Sequence, residues 1–116
     1  MADRIIRLTP MDEEIEQEWS REVDDEFRSI SASKWHDGLW QVWIELANHL
    51  REEPLETEMR RGMEGALGAV AGVTNVTEGD REIWDVDGSP SPEALIEAAA
   101  TVVDALAERA HELLGY

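Results

Sequence analysis

The residues best placed to do chemistry lie in Ile83-Trp84-Asp85-Val86-Asp87-Gly88-Ser89, where two carboxylates and a hydroxyl recur at every second position. Oxygen ligands at that spacing suit a hard cation such as calcium at the start of a binding loop. An EF-hand loop also needs its glycine at the sixth position and a carboxylate at the twelfth. Here Gly88 falls fourth and Ile96 twelfth, so the segment is not such a loop. His36, His49 and His111 are scattered and form no two-histidine helical pair of the kind that holds zinc. His49 with Glu45 or Glu53 has the four-residue spacing of a weak divalent site on a helix, but a real site needs more ligands, so surface solvation is the better account. Gly62, Gly65 and Gly68 recur at steps of three inside a helical stretch, which is not a dinucleotide fingerprint. There is no Ser-His-Asp arrangement, phosphate loop or nucleophile elbow, and the sequon Asn75-Val76-Thr77 has meaning only in a secreted chain.

The same stretch, an apolar strand running into Asp85-Val86-Asp87-Gly88-Ser89, resembles the opening motif of haloacid-dehalogenase-type phosphatases. That resemblance implies a nucleophilic Asp85 and an acid/base Asp87. The family's site also requires a downstream Lys and further carboxylates for magnesium and phosphate. The one Lys of this chain, Lys34, lies upstream. Asp-Gly followed by Ser-Pro is ordinary turn chemistry, so the segment is read as a strand ending in a turn.

Periodicity predicts the elements that would position these residues. Residues 4–8 are β-prone, and Thr9-Pro10-Met11-Asp12 reads as a helix start, with Thr9 as N-cap and Pro10 at the first helical position. Ile15, Trp19, Val23, Phe27 and Ile30 recur at three to four residue spacing among Glu13, Glu14, Glu16, Glu18, Glu22, Asp24, Asp25 and Glu26. This predicts an amphipathic helix with a strongly acidic outer face, broken by Ser29, Ser31 and Ser33. Residues 39–46 fit two periods. Gln41, Glu45, Asn48 and Glu52 would share a helix face, whereas Trp40, Val42, Ile44 and Leu46 alternate as in a strand; the enrichment in Trp, Val and Ile selects the strand. Pro54 opens a helix with the stripe Leu55, Met59, Met63, Ala66, Leu67 and Val70, ended by Gly72. Residues 73–77 and 81–86 form a predicted hairpin, and Ser91-Pro92 starts a helix with the stripe Leu95, Ala99, Val102, Leu106, Ala110 and Leu113.

The expected fold is one α+β domain over residues 1–116. Residues 1–34 supply an N-terminal strand and the acidic helix, and residues 39–114 a βαββα core, the order of a ferredoxin-like plait without its last strand. Ala66-Leu67-Gly68-Ala69-Val70-Ala71-Gly72-Val73-Thr74-Asn75-Val76, followed by Pro92-Glu93-Ala94-Leu95-Ile96-Glu97-Ala98, resembles heavy-metal-associated domains. There a helix runs through a Gly-Val turn into the second strand, and a Leu-Ile pair sits on the second helix. The resemblance implies the same packing. That family's metal is held by a paired-cysteine loop, and residues 47–55 contain no Cys, so no metal or cofactor is expected. The strand at residues 5–8 is expected to fill the plait's open edge, in the same chain or from a partner chain.

Composition bounds the function. The 116 residues suit one hydrophobic core, and 27 acidic against 10 basic residues give a net charge of -17, which argues against nucleic acid and anionic membranes as partners. The absence of Cys excludes disulfides, thiolate metal sites and a cysteine nucleophile. Asp3 and Arg4 enter too early for a signal peptide, so a cytoplasmic location is expected. The excess of Arg over Lys suggests a high-GC, bacterial coding bias.

Five Trp stand against one Tyr and one Phe. If Trp40 points inward, Trp43 points to the opposite sheet face together with Leu39, and needs a cover: the N-terminal helix, a second subunit or a ligand. Trp35, in the preceding loop, belongs to either surface. The sequence thus predicts a non-catalytic interaction or assembly domain, self-associating as a homodimer through Trp43, Leu39 and Trp35. One alternative is an acidic inhibitor or immunity-type protein that docks Glu13, Glu16 and Asp24 on a basic partner. The other is a small-molecule-binding plait with a pocket lined by Trp43, Trp84 and carboxylates.

Overall fold

The computed structural model describes residues 5–10, 13–21, 29–45, 53–79 and 82–114. The elements are β1 (Ile5–Leu8), β2 (Ile15–Arg21), β3 (Ser29–Trp35), β4 (Trp40–Glu45), α1 (Leu55–Gly68), β5 (Val73–Glu78), β6 (Ile83–Gly88) and α2 (Pro92–Leu114). The strands form a six-stranded antiparallel sheet in the order β1-β2-β3-β4-β6-β5.

Period-two alternation decides which face is buried. On β4, Trp40, Val42 and Ile44 are buried while Trp43 and Glu45 are exposed. The registers set Ile30 against Ile44, Ala32 and Trp84 against Val42, and Val86 against Trp40, so all the apolar partners share one face. Both helices pack there: α1 through Leu55, Met59, Met63 and Leu67, α2 through Leu95, Ile96, Ala99, Val103, Leu106 and Ala110. Full burial of one such large side chain stabilises by about 1.5–3 kcal/mol. Four of them on α1 outweigh the roughly 1 kcal/mol that each interior glycine costs the helix. Packing, not propensity, holds α1. Gly62 also serves that packing, because a Cβ there would stand 3.0 Å from Val102 Cγ1 of α2; Gly65 and Gly68 meet nothing. At the start of α1 the Glu53 carboxylate accepts the Thr57 hydroxyl (2.6 Å) and the Thr57 N–H (2.8 Å). These bonds, the hydroxyl first, hold the Glu53 pKa below its ordinary value. Their support is therefore present above the usual carboxylate range and is lost as the pH falls through the lowered pKa.

The α+β class and the βαββα order of residues 40–114 are as expected, but the N-terminal third differs. No helix runs through residues 13–21; β2 and β3 replace it. A spacing of four is even, so Ile15 and Trp19 fit a strand period as readily as a helical one in the sequence. In the sheet a bulge between Ile15 and Gln17 then sets Ile15 against Trp35, and Trp19 against Ala32 on the helix side. The serines are not breakers either. Ser29, Ser31 and Ser33 are one face of β3, with Ile30 and Ala32 buried between them. Val23 and Phe27 lie outside the described residues. The strand order also departs from the expected plait: β1 pairs with β2, and β3, not residues 5–8, lies beside β4. On α2 the buried position is Val103, with Val102 turned to Gly62 and Leu113 44% exposed.

Two connections are stitched together at Gly72 (φ 91°) and Gly88 (φ 118°). The Ser89 N–H donates to the Gly72 carbonyl at 2.9 Å. A Cβ at Gly72 would stand 2.6 Å from the Ser89 carbonyl oxygen, and one at Gly88 would fall on the Gly72 carbonyl oxygen. The glycine after Asp85 and Asp87 is thus demanded by this crossing of backbones. Gly88→Ala is expected to lower stability by about 1–3 kcal/mol or more, and Gly65→Ala, in open space on the helix, to raise it by roughly 0.5–1 kcal/mol. Urea unfolding of the two variants checks this, and equal midpoints would contradict it.

Candidate functional site

Helix packing uses the face that carries Trp40 and Trp84, and among the described residues no element packs on the other. The registers order that open face into rows crossing the sheet. One row runs Ile6, Ser20, Ser31, Trp43, Ile83; the next runs Leu8, Glu18, Ser33, Gln41, Asp85, Thr77. In the first row Ile6 stands on one side of the low pair Ser20 and Ser31, and Trp43 and Ile83 stand on the other. Of the exposed large apolar side chains among the described residues, Ile6 (38%), Leu8 (37%) and Trp43 (43%) are all on this face, and only Leu113 is elsewhere.

At the centre, one amide holds three groups. The Trp35 indole N–H donates to Gln41 Oε1 at 3.0 Å, and the Trp43 indole N–H donates to the same oxygen at 3.3 Å. Gln41 Nε2 donates to Asp85 Oδ1 at 2.9 Å. The two acceptor sites of one amide oxygen are thereby filled, and its nitrogen is fixed by a carboxylate from the neighbouring strand. Strand pairing sets this up, since Gln41 lies directly opposite Asp85 on β6 and Ser33 on β3, with Trp35 two residues further along β3.

Charge is segregated across the sheet. The strand-borne cations lie on the helix side: Arg7 sits 5.6 Å from the Trp19 ring centroid, Arg21 is buried and reaches Asp104 of α2 at 3.6 Å, and Lys34 pairs with Glu16 at 3.5 Å. Every charged side chain that the described strands place on the open face is a carboxylate: Glu18, Glu45, Asp85 and Asp87.

The residues singled out from sequence are only partly brought together. Trp43 is on the open face as the alternation requires. Trp35 is not in a loop; it ends β3 and joins Trp43 through Gln41. Leu39 lies in the β3–β4 turn beside Trp35, whose backbone N–H it accepts on its carbonyl at 2.9 Å, while its own N–H donates to Asp37 Oδ1 at 2.9 Å. The acidic docking face is not a helical one. Glu13 is an exposed residue before β2, Glu16 is on β2 paired with Lys34, and Asp24 lies outside the described residues. Trp84 is 1% exposed on the helix side, so it cannot share a pocket with Trp43. Asp85 and Asp87 are on β6, while Lys34 is two strands away on β3, so the structure does not bring Lys34 to them. The role of Gln41 leaves no signal in the local sequence, because it depends on the pairing of β4 with β6.

Described residues line two further surface hollows. One, of about 420 Å³, is lined by Glu13, Glu14, Trp35, His36 and Asp37; the other, of about 510 Å³, is an apolar groove between α1 and α2 around Met59, Gly62 and Val102, bordered by the Arg109–Glu58 ion pair at 3.2 Å. Among the described residues, no group of three His, Cys, Asp or Glu is placed to hold a metal ion, and no helix is long and apolar enough to cross a membrane. No family model, curated protein or solved structure matches the chain.

Replacing Gln41 by Ala removes the shared acceptor. The indole N–H resonances of Trp35 and Trp43 are expected to move, with a stability loss of about 1 kcal/mol, while that of Trp19, bonded to Gln17 at 3.3 Å, stays in place. Unmoved Trp35 and Trp43 signals would contradict the clamp.

Proposed function

We propose that this chain is a non-catalytic interaction domain whose working surface is the open face of the sheet around Trp43. The observation that carries the reading is that Ile6, Leu8 and Trp43 are all exposed on that one face. Soluble chains seldom gather large apolar side chains on one patch unless something covers it, and an aromatic anchor ringed by polar groups is the usual anatomy of an interface. The Gln41 clamp fits this use, because an indole already held in place loses less conformational entropy on binding.

The small-molecule reading has less support, since Trp43 and Trp84 face opposite ways. Self-association remains a second reading, and the β5 edge favours it. Val73, Thr74, Asn75, Val76 and Thr77 make an uncharged, β-prone edge strand without the Lys or Pro that guards many edges.

A photo-crosslinking residue placed at position 43 and, separately, at the exposed Glu97 of α2 tests the main reading in cells that make the protein. The expected result is a discrete covalent adduct from position 43 only. Equal labelling from both positions, or none from position 43, would contradict it, and an adduct of twice the chain's own mass would identify a second copy as the occupant.

A further inference from the structure

From the open face we infer the chemistry of its occupant: a basic protein segment that lays an arginine side chain over Trp43. This rests on the reading of that face as the working surface and adds the class of partner. Two independent features select a cation. The first is the charge segregation, which leaves only carboxylates (Glu18, Glu45, Asp85 and Asp87) among the charged strand residues of the face. A second copy docked face to face would set these against their own equivalents on a chain of net charge -17, so the same charges that attract a basic segment exclude self-pairing here. The second feature is the Trp43 indole itself. Its only polar group, the N–H, is engaged by Gln41, so what it offers a partner is the negative π face of the ring.

Arginine fits both features better than lysine. Its planar guanidinium stacks on an indole and can still form paired hydrogen bonds to a carboxylate, which a point-charge ammonium cannot do. The floor beside Trp43 is Ser31, with Ser20 beyond it, so there is room for the aliphatic stem of an incoming side chain.

The test is a titration with two synthetic peptides, six Arg-Ser repeats and six Lys-Ser repeats, at about 0.15 M salt, where charges more than roughly 8 Å apart are screened. It is followed by the indole N–H resonances of the five Trp. Saturable shifts are expected at Trp43 and Trp35 but not at buried Trp84, with the Arg peptide at least threefold tighter than the Lys peptide. Trp43→Ala, which leaves the net charge unchanged, should weaken the Arg peptide five- to tenfold, whereas Glu93→Lys with Glu97→Lys on α2 should change it less than twofold. Equal affinity of wild type and Trp43→Ala would overturn the inference, because bulk charge alone would then explain binding. No saturable binding alongside a single adduct from position 43 would overturn the arginine inference while leaving the interaction surface standing; absence of both would remove the two together.

Discussion

Burial of Ile30, Ala32, Val42, Ile44, Trp84 and Val86 on one side of the sheet draws both helices to that side, because neither has another surface on which to bury its own stripe. Every other feature follows from this one-sided burial. Two helices side by side on one face must touch, and Gly62 against Val102 is one place where they do. The chain must also leave α1 for the sheet edge and return from β6 to α2 at nearly the same place. Gly72 and Gly88 let those two backbones cross in contact.

The same constraint creates the open face. With both helices spent on the core, outward positions of β3, β4 and β6 meet no other described element, and most of them are serine, glutamine, aspartate and glutamate. Trp35, Trp43 and Ile83 are exceptions to that polarity, and the two indoles are restrained by the same amide. A single Gln therefore does on this face what a helix does on the other: it fixes the positions of large side chains. The cations Arg7, Arg21 and Lys34 turn towards the helix side, where they meet a ring or carboxylates. The charged groups that the described strands leave on the open face are acids, beside the exposed Trp43.

Much of this was legible in the sequence. The alternation of Trp40, Val42 and Ile44 against Trp43 located β4 and the outward Trp, and the stripes of α1 and α2 were readable because they repeat over several turns. The region around β2 and β3 was not, since Ile15 and Trp19 stand an even number of residues apart and both periods accept them. Ser29, Ser31 and Ser33 were hidden by composition, because serine reads as a breaker when its apolar partners, Ile30 and Ala32, are not weighed with it. The Gln41–Asp85 contact joins residues 44 apart, and only the pairing of β4 with β6 brings them face to face. Local patterning carries no information about such a register, so the clamp at the centre of the candidate site was out of reach.

The central claim is that this face is uncovered in the free chain. It is tested most directly by the relaxation that a soluble gadolinium chelate induces in each indole N–H resonance of the isolated protein. Strong broadening at Trp43, with Trp84 protected, is the predicted result. Protection of Trp43 equal to that of Trp84 would mean that something already covers the face, and the account built on it would fail.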